Sequence, residues 1–370
     1  MKSMLNPGSP IKKVFIAPLN WGLGHATRLL PLIKYLLNKN YMVYIGASGR
    51  SRNVLQQEVK DCTFVDFPEY PIRYPQTRFF VTRFMLIVFP QMLRAMKNEQ
   101  NQLKILHKQY GFDLIISDNR FSLALQGVKS LLISHQLRYK LPWPIQKMEW
   151  LPEYFNYIHF KKYHLILIPD IDDQKSFSGE LSHKMRYLPA KKLYYMGIIS
   201  GLENNNKEES ENIDYLIIIS GPEPQRTKFE KIILNQLGEL EGKVVVALGK
   251  PEKNYKIRIG DTEVFTYLNR KNISYYMRRA KLIISRPGYT TVMEMIETGK
   301  RGLFIPTPGQ VEQVYLAQYY MENNWCYSIS QFDLDLKSAV KEAENYPGFP
   351  LNCSRTDENL DKLFHDVIKG

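Results

Sequence analysis

Short apolar runs alternate along the chain with longer segments in which apolar residues recur every three or four positions. Lys13–Pro18 is the first such run, and residues 29–37 after it show helical spacing. Strands of a parallel sheet are covered by helices on both faces, so their sequences are apolar throughout. The pattern predicts a doubly wound α/β sheet, with further strands at 42–45, 63–66, 113–117, 130–134 and 165–168.

The same pattern starts again in the second half of the chain. A strand at 215–220 is followed by a turn and a helix at 228–237, for which Thr227 is the predicted N-cap. The remaining predicted elements are strands at 243–248, 263–267, 282–285 and 302–306 and a helix near 274–280. The recurrence predicts two Rossmann-like domains.

The predicted N-terminal domain spans 1–197 and the C-terminal domain spans 198–354. We expect a last helix within 355–370 to pack back on the first domain, and residues 194–201 to cross between the domains. The polar run at 204–212 predicts a loop.

Composition narrows the class of protein. The 370 residues suffice for two domains of ordinary size. Cys62, Cys326 and Cys353 are too few and too scattered for a disulfide framework or a zinc site, which predicts reduced thiols in a cytoplasmic protein. The sequence shows neither a signal-peptide pattern nor an apolar segment of about 20 residues that could span a bilayer.

The positive net charge is concentrated in the first part of the chain. Residues 1–150 hold 21 Lys and Arg against 8 Asp and Glu, whereas residues 151–370 hold 29 of each kind. Such an excess favours an anionic membrane surface, a phosphorylated acceptor or nucleic acid as a partner, and the alternative is a solvated surface without a partner. Because no basic-aromatic RNA-binding signature is present, we expect no nucleic acid.

A glycine-rich loop joins the first predicted strand to the first predicted helix. Gly22 and Gly24 allow close approach to the backbone, and His25 stands where the helix begins. Thr27 replaces the third glycine of a dinucleotide fingerprint, which argues against a nicotinamide enzyme. A neutral His25 can deprotonate an acceptor hydroxyl, and the alternative is a histidine that only caps the helix or orders the loop.

Polar residues also follow two further strands of the first domain. Asp118 ends one strand and His135 follows the other, so we expect both at the same edge of the sheet. Asp118 is a second candidate base, or the partner that orients His25. The residues around them suit acceptor hydroxyls, and the alternative is loop capping and ion pairing within the domain. The candidate acceptor-binding residues are Gly22, Gly24, Arg28, Asn119, Arg120, His135 and Gln136.

The most informative stretch is 285–294, in which a strand ends, a glycine turn follows and a helix begins. A helix N-terminus favours a diphosphate there, and Glu294, one turn inside the helix, can hold ribose hydroxyls. Arg226, in the turn that opens the second domain, can pair with a diphosphate; the alternative is a rigid turn with a surface arginine. The loop that follows the strand at 302–306 adds polar side chains suited to sugar hydroxyls, so these features together are the parts of a nucleotide-sugar site. The candidate residues for binding such a sugar donor are Gly221, Arg226, Ser285, Arg286, Gly288, Tyr289, Thr290, Thr291, Glu294, Gln310, Glu312 and Gln313.

Residues 77–97 combine aromatic and aliphatic side chains with arginine and lysine. This mixture is typical of a helix lying in an anionic membrane interface, and the alternative is a core helix of the domain.

The sequence holds no clustered His and Cys pattern typical of a metal site, and Gly249 and Lys250 are followed by Pro251 rather than the Ser or Thr of a phosphate-binding loop. We expect neither a metal nor another cofactor.

The glycine loop at 22–25 and the stretch 285–313 resemble the GT-B glycosyltransferases, and within them family 28. That family includes the MurG-like N-acetylglucosaminyltransferases of peptidoglycan synthesis and the monogalactosyldiacylglycerol synthases. The resemblance implies two Rossmann-like domains facing across a cleft and an inverting, metal-independent reaction. It implies His25 beside the acceptor, Glu294 at the ribose and the loop with Gln310, Glu312 and Gln313 at the donor sugar.

Two features depart from that family. Val314 follows Gln313 where the peptidoglycan enzyme has a second glutamine, and residues 221–226 replace its glycine-rich loop.

The expected function is transfer of a sugar from a nucleoside diphosphate sugar, a UDP-hexose or UDP-N-acetylhexosamine, to a hydroxyl of a lipid-linked or glycan acceptor at the inner face of the plasma membrane. The alternatives are a UDP-sugar 2-epimerase of the same fold and a non-catalytic protein that binds nucleotide sugars or anionic polymers.

Overall fold

The computed structural model describes residues 12–20, 24–70, 89–141, 145–173, 175–203, 212–252, 255–350 and 355–369. The chain forms two compact units, each considered by itself. The first unit comprises Met1–Tyr139, Trp143–Ile199 and Thr356–Gly370, and the second comprises Lys140–Pro142 and Ser200–Arg355. The polar run at 204–211 lies outside the described residues.

The first unit is built on a sheet of seven parallel strands in the order β3-β2-β1-β4-β5-β6-β7. Its strands are β1 Lys13–Pro18, β2 Met42–Gly46, β3 Thr63–Val65, β4 Leu114–Asp118, β5 Lys129–Ile133, β6 Leu165–Ile168 and β7 Leu193–Tyr195. Within the described residues, its α-helices ahead of residue 356 are α1 Gly24–Asn38, α2 Gly49–Glu58, α3 Phe89–Tyr110 and α4 Trp150–Phe160. The predicted doubly wound parallel sheet is confirmed.

The packing of successive side chains of β1 explains why Val14–Ala17 are all apolar. Val14 and Ile16 pack in a cluster that includes residues of α1, whereas Phe15 packs in a separate cluster. The Phe15 ring lies 5.0 Å from that of Phe112 and 5.4 Å from that of Phe67, measured between centroids. Side chains of one strand point to alternate faces, so a sheet buried on both faces needs apolar residues at every position.

The order of the first sheet positions its candidate site. β1 pairs with β2 on one side and with β4 on the other. The connections therefore run in opposite directions away from the β1–β4 pair, which leaves a crevice at the carboxyl ends of these two strands. Ligands of doubly wound sheets bind at such a position.

The second unit repeats this arrangement with the order β10-β11-β9-β8-β12-β13-β14. Its strands are β8 Ile213–Ile218, β9 Val244–Ala247, β10 Lys256–Ile259, β11 Thr262–Phe265, β12 Ala280–Ser285, β13 Arg301–Phe304 and β14 Tyr327–Ser328. Its helices are α5 Gln225–Gln236, α6 Arg270–Arg279, α7 Tyr289–Thr298, α8 Val311–Glu322 and α9 Leu336–Ala343. All described pairings are parallel except β10 with β11, and the strand order reverses at the β8–β12 pair.

The chain returns to the first unit through α10, Thr356–Leu363, which continues as a π-helical turn over Phe364–Lys369. Leu360, Leu363 and Phe364 belong to the same apolar cluster as the buried face of α1. The Asn359 amide donates a hydrogen bond of 2.8 Å to the carbonyl of Ile198. The final helical segment therefore forms part of the core of the first unit.

Some local features differ from the sequence-based expectations. The chain passes from the first unit to the second at Ile199–Ser200, inside the predicted crossing at 194–201, but the start of that segment belongs to the edge strand β7. The exposed edge strand β10 was not predicted. α5 begins at Gln225, so Thr227 lies in its first turn instead of capping it. The Thr227 backbone N–H donates to Glu223 Oε2 at 3.2 Å. Within the described ranges, no helix has the length and apolar character needed to cross a membrane.

Candidate active site

The crevice of the first unit brings four of the predicted site residues together. α1 carries His25 and Arg28, β4 ends at Asp118, and His135 follows β5. His25 Nδ1 lies 3.2 Å from Asp118 Oδ1. Arg28 pairs with both oxygens of Asp118, and its Nη1 lies 3.0 Å from His135 Nδ1. Residues 90 or more positions apart thus meet because β1, β4 and β5 are neighbours in the sheet.

Asp118 is an ionised carboxylate in the interior. Burial alone would raise its pKa, but the charges of Arg28 and His25 and the hydrogen bonds they donate outweigh that effect and lower the pKa below its ordinary value. Asp118 is fully buried, whereas the His25 side chain is 16% exposed. His25 is therefore the member of the pair that a substrate can reach, and Asp118 is placed to orient it.

Other predicted acceptor-binding residues surround this group. Asn119 has a left-handed backbone (φ 52°), and its Oδ1 is buried with no hydrogen-bond partner within the described structure. Gln136 is half-buried next to His135. Gly24 is the first residue of α1, and Gly22 lies outside the described residues.

Arg120 does not belong to the site. The side chain is fully buried, its Nε donates to the carbonyl of Pro18 at 2.7 Å, and its Nη1 donates to the carbonyl of Pro68 at 2.8 Å. The same guanidinium pairs with the buried carboxylate of Glu99 on α3. Arg120 therefore ties the end of β1 and the loop after β3 to a helix, and this geometry does not support the prediction that it binds an acceptor.

In the second unit, α7 begins immediately after β12 and the turn at Arg286–Gly288. Gly288 is the N-cap and offers no side chain to the helix, and a Cβ placed on it would meet no atom within 4 Å. Thr290 and Thr291 are half-buried in the first turn, while Tyr289 and Ser285 are buried. Backbone N–H groups at such a helix end favour an anion.

Arg286 is built into the fold rather than free to bind a diphosphate. It is 1% exposed, its Nη1 donates to the carbonyls of Ile305 at 2.8 Å and Pro306 at 2.9 Å, and its Nη2 donates to Gln331. The guanidinium carbon lies 4.1 Å from the centroid of the Phe229 ring. Burial lowers the pKa of Arg286 to about 9, so the side chain remains charged at neutral pH while joining the loops after β13 and β14.

Arg226 is also occupied by protein groups. Its Nε donates to Glu223 at 2.6 Å, and its Nη1 pairs with Glu230 in the next turn of α5. Burial alone would raise the pKa of Glu223, but hydrogen bonds from Thr227 and Arg226 and the charge of Arg226 lower it. The turn beside it contains Gly221 with φ 117°, a conformation that favours glycine. The predicted contact between Arg226 and a diphosphate is not supported by this geometry.

Glu294 lies in the second turn of α7 and is 3% exposed. Arg270 of α6 pairs with its carboxylate. Sequence reasoning found Glu294 and missed Arg270, because the two positions are 24 residues apart on different helices. Arg270 fixes the carboxylate at the position assigned to the ribose.

The loop between β13 and α8 carries the remaining candidates. Gln310 is the N-cap of α8, Glu312 lies in its first turn, and Gln313 Oε1 accepts a hydrogen bond of 2.8 Å from the Thr307 N–H. Gln313 therefore presents its amide nitrogen as the remaining donor. Thr307 Oγ1 is buried without a partner within the described ranges, and it lies 3.6 Å from a Cβ placed on Gly221. Thr307 lies within the stretch 285–313 but was not among the predicted donor-binding residues.

Residues 215–367 match the sequence profile of the glycosyltransferase family 28 C-terminal domain. The fold is similar to that of the kitacinnamycin glycotransferase (TM-score 0.63, 12% identity, covering 98% of this chain and 96% of that one). It is also similar to that of Acinetobacter baumannii MurG (TM-score 0.53, 12% identity, covering 96% of this chain and 100% of that one). A third similar structure is Arabidopsis thaliana UGT89C1 complexed with UDP-L-rhamnose (TM-score 0.59, 12% identity, covering 98% of this chain and 100% of that one). A search of curated protein sequences gave no significant match.

Proposed function

Because the chain is a GT-B glycosyltransferase with a family 28 C-terminal domain, we propose that it transfers a hexose or N-acetylhexosamine from a UDP-sugar to a hydroxyl of a lipid-linked or glycan acceptor. The observation that carries the proposal is the His25–Asp118 pair in the crevice of the first unit. A partly exposed histidine oriented by a buried carboxylate is suited to general base catalysis. A protein that only binds nucleotide sugars has no need of such a pair.

In the proposed reaction, His25 removes the proton of an acceptor hydroxyl while that oxygen attacks the anomeric carbon of the donor sugar. The bond from the anomeric carbon to the diphosphate oxygen breaks, and UDP leaves with the electron pair of that bond. A single displacement of this kind inverts the anomeric centre. Asp118 stabilises the histidinium that forms, and no metal is part of the proposal.

The donor half of the proposal rests on α7 and the loop before α8. The glycine N-cap leaves room above the first-turn amides for a diphosphate, and Glu294, held by Arg270, lies one turn further along the helix. Gln310, Glu312 and Gln313 offer polar groups for the hydroxyls of the donor sugar. UGT89C1, a protein of similar fold, was crystallised with UDP-L-rhamnose, which motivates uridine as the first base to test.

We also propose that the first unit docks on an anionic membrane at its cytoplasmic face. Of the segment predicted for this role, 77–88 lies outside the described residues, and 89–97 opens α3. Leu93 of α3 and Trp150, Leu151 and Tyr154 of α4 are exposed, and the two helices contact each other through Phe89 and Phe155. Exposed apolar side chains near lysine and arginine are suited to a lipid interface.

Nucleotide binding is the first test. Thermal unfolding is measured with UDP, GDP, dTDP and ADP for the wild type, for Glu294→Gln and for the matched control Glu322→Gln, an exposed glutamate of α8. A ligand at about 100 times its Kd stabilises the folded state by roughly 2.7 kcal/mol. We expect UDP to stabilise the wild type and the control but not Glu294→Gln. No shift with any nucleotide would contradict the transferase proposal.

Turnover separates the transferase from the two alternatives. UDP release from UDP-sugars is followed with and without glycolipid acceptors, with and without a chelator, and in His25→Ala. We expect release that depends on the acceptor, persists with the chelator and is lost in the variant. Epimerised sugar or UDP release without an acceptor would identify an epimerase, and salt-sensitive polyanion binding without any UDP response would identify a binding protein.

Membrane docking is tested by sedimentation with vesicles containing phosphatidylglycerol. We expect Trp150→Ser combined with Leu151→Ser to reduce the bound fraction. Ile257→Ser, which removes an exposed apolar side chain of β10 in the second unit, is the matched control and should leave it unchanged. Equal binding by all three proteins would locate membrane contact elsewhere.

A further inference from the structure

Arg28 occupies the centre of the polar group in the first unit. The side chain is 3% exposed and lies one turn after His25 on α1. Its Nε donates to Asp118 Oδ2 at 3.3 Å, its Nη2 donates to Asp118 Oδ1, and its two terminal nitrogens lie 3.0 Å and 3.1 Å from Nδ1 of His135 and His25. One guanidinium therefore contacts the carboxylate and both histidines.

The contact with His135 determines which nitrogen of that ring carries the proton. A guanidinium has only N–H donors and accepts no hydrogen bond. His135 Nδ1, 3.0 Å from Arg28 Nη1, must therefore be the acceptor with a free lone pair. In its neutral form, His135 consequently carries its proton on Nε2.

On His25 the proton position is set by Asp118 rather than by Arg28. His25 Nδ1 faces Asp118 Oδ1 at 3.2 Å as well as Arg28 Nη2 at 3.1 Å. An unprotonated Nδ1 would turn its lone pair towards a carboxylate in the buried interior, where such repulsion is weakly screened. Arg28 Nη2 already donates to the same carboxylate oxygen. Nδ1 of His25 therefore carries the proton and donates it to Asp118, which leaves Nε2 unprotonated.

We propose that Arg28 is a positioning residue with two effects. It donates to His135 Nδ1, which leaves the proton of neutral His135 on Nε2, and it holds the Asp118 carboxylate that accepts from His25 Nδ1, so that His25 presents a basic Nε2. Its significance for catalysis rests on the proposed function, in which His25 is the base. The sequence-based expectation that Arg28 binds the acceptor is replaced, because its hydrogen bonds go to Asp118 and the histidines rather than to an open face.

The tautomers are measured by nitrogen NMR on the full chain with labelled histidine, the two signals being assigned with His25→Gln and His135→Gln. We expect a proton on Nδ1 of His25 and on Nε2 of His135. In Arg28→Met, we expect the fraction of His135 protonated on Nδ1 to rise, because Nδ1 no longer accepts a hydrogen bond from Arg28. Identical tautomers in the wild type, or an unchanged His135 in the variant, would overturn the proposal.

Arg120→Lys is the matched control. Arg120 is likewise a buried arginine paired with a buried carboxylate of the first unit, Glu99, but no hydrogen bond between it and a histidine is found in the described structure. We expect Arg120→Lys to lower the stability of the protein and to leave both histidine signals in their wild-type form. A tautomer change in this control would show that the signals report general loosening, and that result would also overturn the proposal.

Kinetics distinguish positioning from acceptor binding. We expect Arg28→Lys to lower kcat by about tenfold or more with little change in the KM for the acceptor, since the misplaced base acts in the transition state. A raised KM with unchanged kcat would identify Arg28 as an acceptor ligand and refute positioning. The NMR result does not require sugar transfer, so failure of the proposed function and failure of this inference are separately visible.

Discussion

Replacing Arg286 by methionine tests whether this arginine supports the fold or binds the donor. The side chain joins the carbonyls of Ile305 and Pro306 to Gln331 and packs over Phe229. Methionine has a similar length and retains contact with the ring, but it donates no hydrogen bond. The substitution therefore removes the donors from these three oxygen acceptors, and from the more distant carbonyl of Gln225 at 3.4 Å, while largely preserving the volume of the site.

The magnitude follows from these contacts. A buried acceptor without a donor costs about 1–3 kcal/mol, so three of them cost roughly 3–9 kcal/mol before the loops relax. The cost of burying the guanidinium charge, visible in its lowered pKa, disappears in the variant and offsets part of this loss. We expect a net decrease of about 2–4 kcal/mol in the free energy of unfolding.

Urea unfolding of the full chain, with the slope of the transition compared between variants, measures this quantity. Arg301→Met is the matched control, because Arg301 is exposed at the start of β13 and makes one 3.2 Å bond to the carbonyl of Glu344. We expect the control to stay within about 0.5 kcal/mol of the wild type. Unchanged stability of Arg286→Met together with loss of UDP binding would refute the structural role and restore Arg286 as a donor ligand.

Four further predictions follow from the two units. Asp118→Asn should lower kcat by about 100-fold or more with correct folding by circular dichroism, because His25 loses the carboxylate that orients it; activity near that of the wild type would exclude the pair from catalysis. The pKa of Asp118 is lowered in the folded state, so its ionised carboxylate should stabilise the protein above about pH 4, and this stabilisation should be lost as pH falls through the folded-state pKa. Urea unfolding at several acidic pH values should therefore show a shallower decline in the free energy of unfolding for Asp118→Asn than for the wild type. Arg226→Met should leave the Kd for UDP unchanged and lower stability, because Glu223 and Glu230 lose their partner, and weaker UDP binding measured by calorimetry would contradict this. Burial raises the pKa of Cys62 to about 11 and that of Cys326 further, so peptide mapping after treatment with a thiol reagent should find Cys326 modified only in the unfolded protein.

Most strands of the fold could be predicted from the sequence, whereas the partners of most buried polar side chains could not. Val14–Ala17 of β1 and Leu114–Ile116 of β4 are apolar at successive positions because both faces of the sheet are covered, and this pattern is readable from the sequence. The meeting of His25 with Asp118 also follows from the sequence, since both stand at carboxyl ends of strands that a doubly wound sheet makes neighbours.

The partners of the arginines were not predictable in the same way. Arg28, Arg120, Arg226 and Arg286 all occur in or near loops where an anionic ligand is expected, and sequence alone cannot tell a ligand-binding arginine from one that binds the protein. Their long side chains reach carboxylates or carbonyls up to 102 residues away in the case of Arg120. The position of Glu99, two residues beyond the segment 77–97 predicted for a membrane surface, gave no signal that it would neutralise a buried arginine.

The return of residues 356–369 to the first unit has a consequence for synthesis of the protein on the ribosome. Leu360, Phe364 and Ile368 fill the core beside α1, yet they are translated more than 300 residues after Leu29 and Ile33, which they help to cover. Residues 200–355, which form most of the second unit, leave the ribosome before this core can be completed. The first unit therefore cannot complete its core until residues 356–369 have been synthesised, and part of the apolar face of α1 stays uncovered until then.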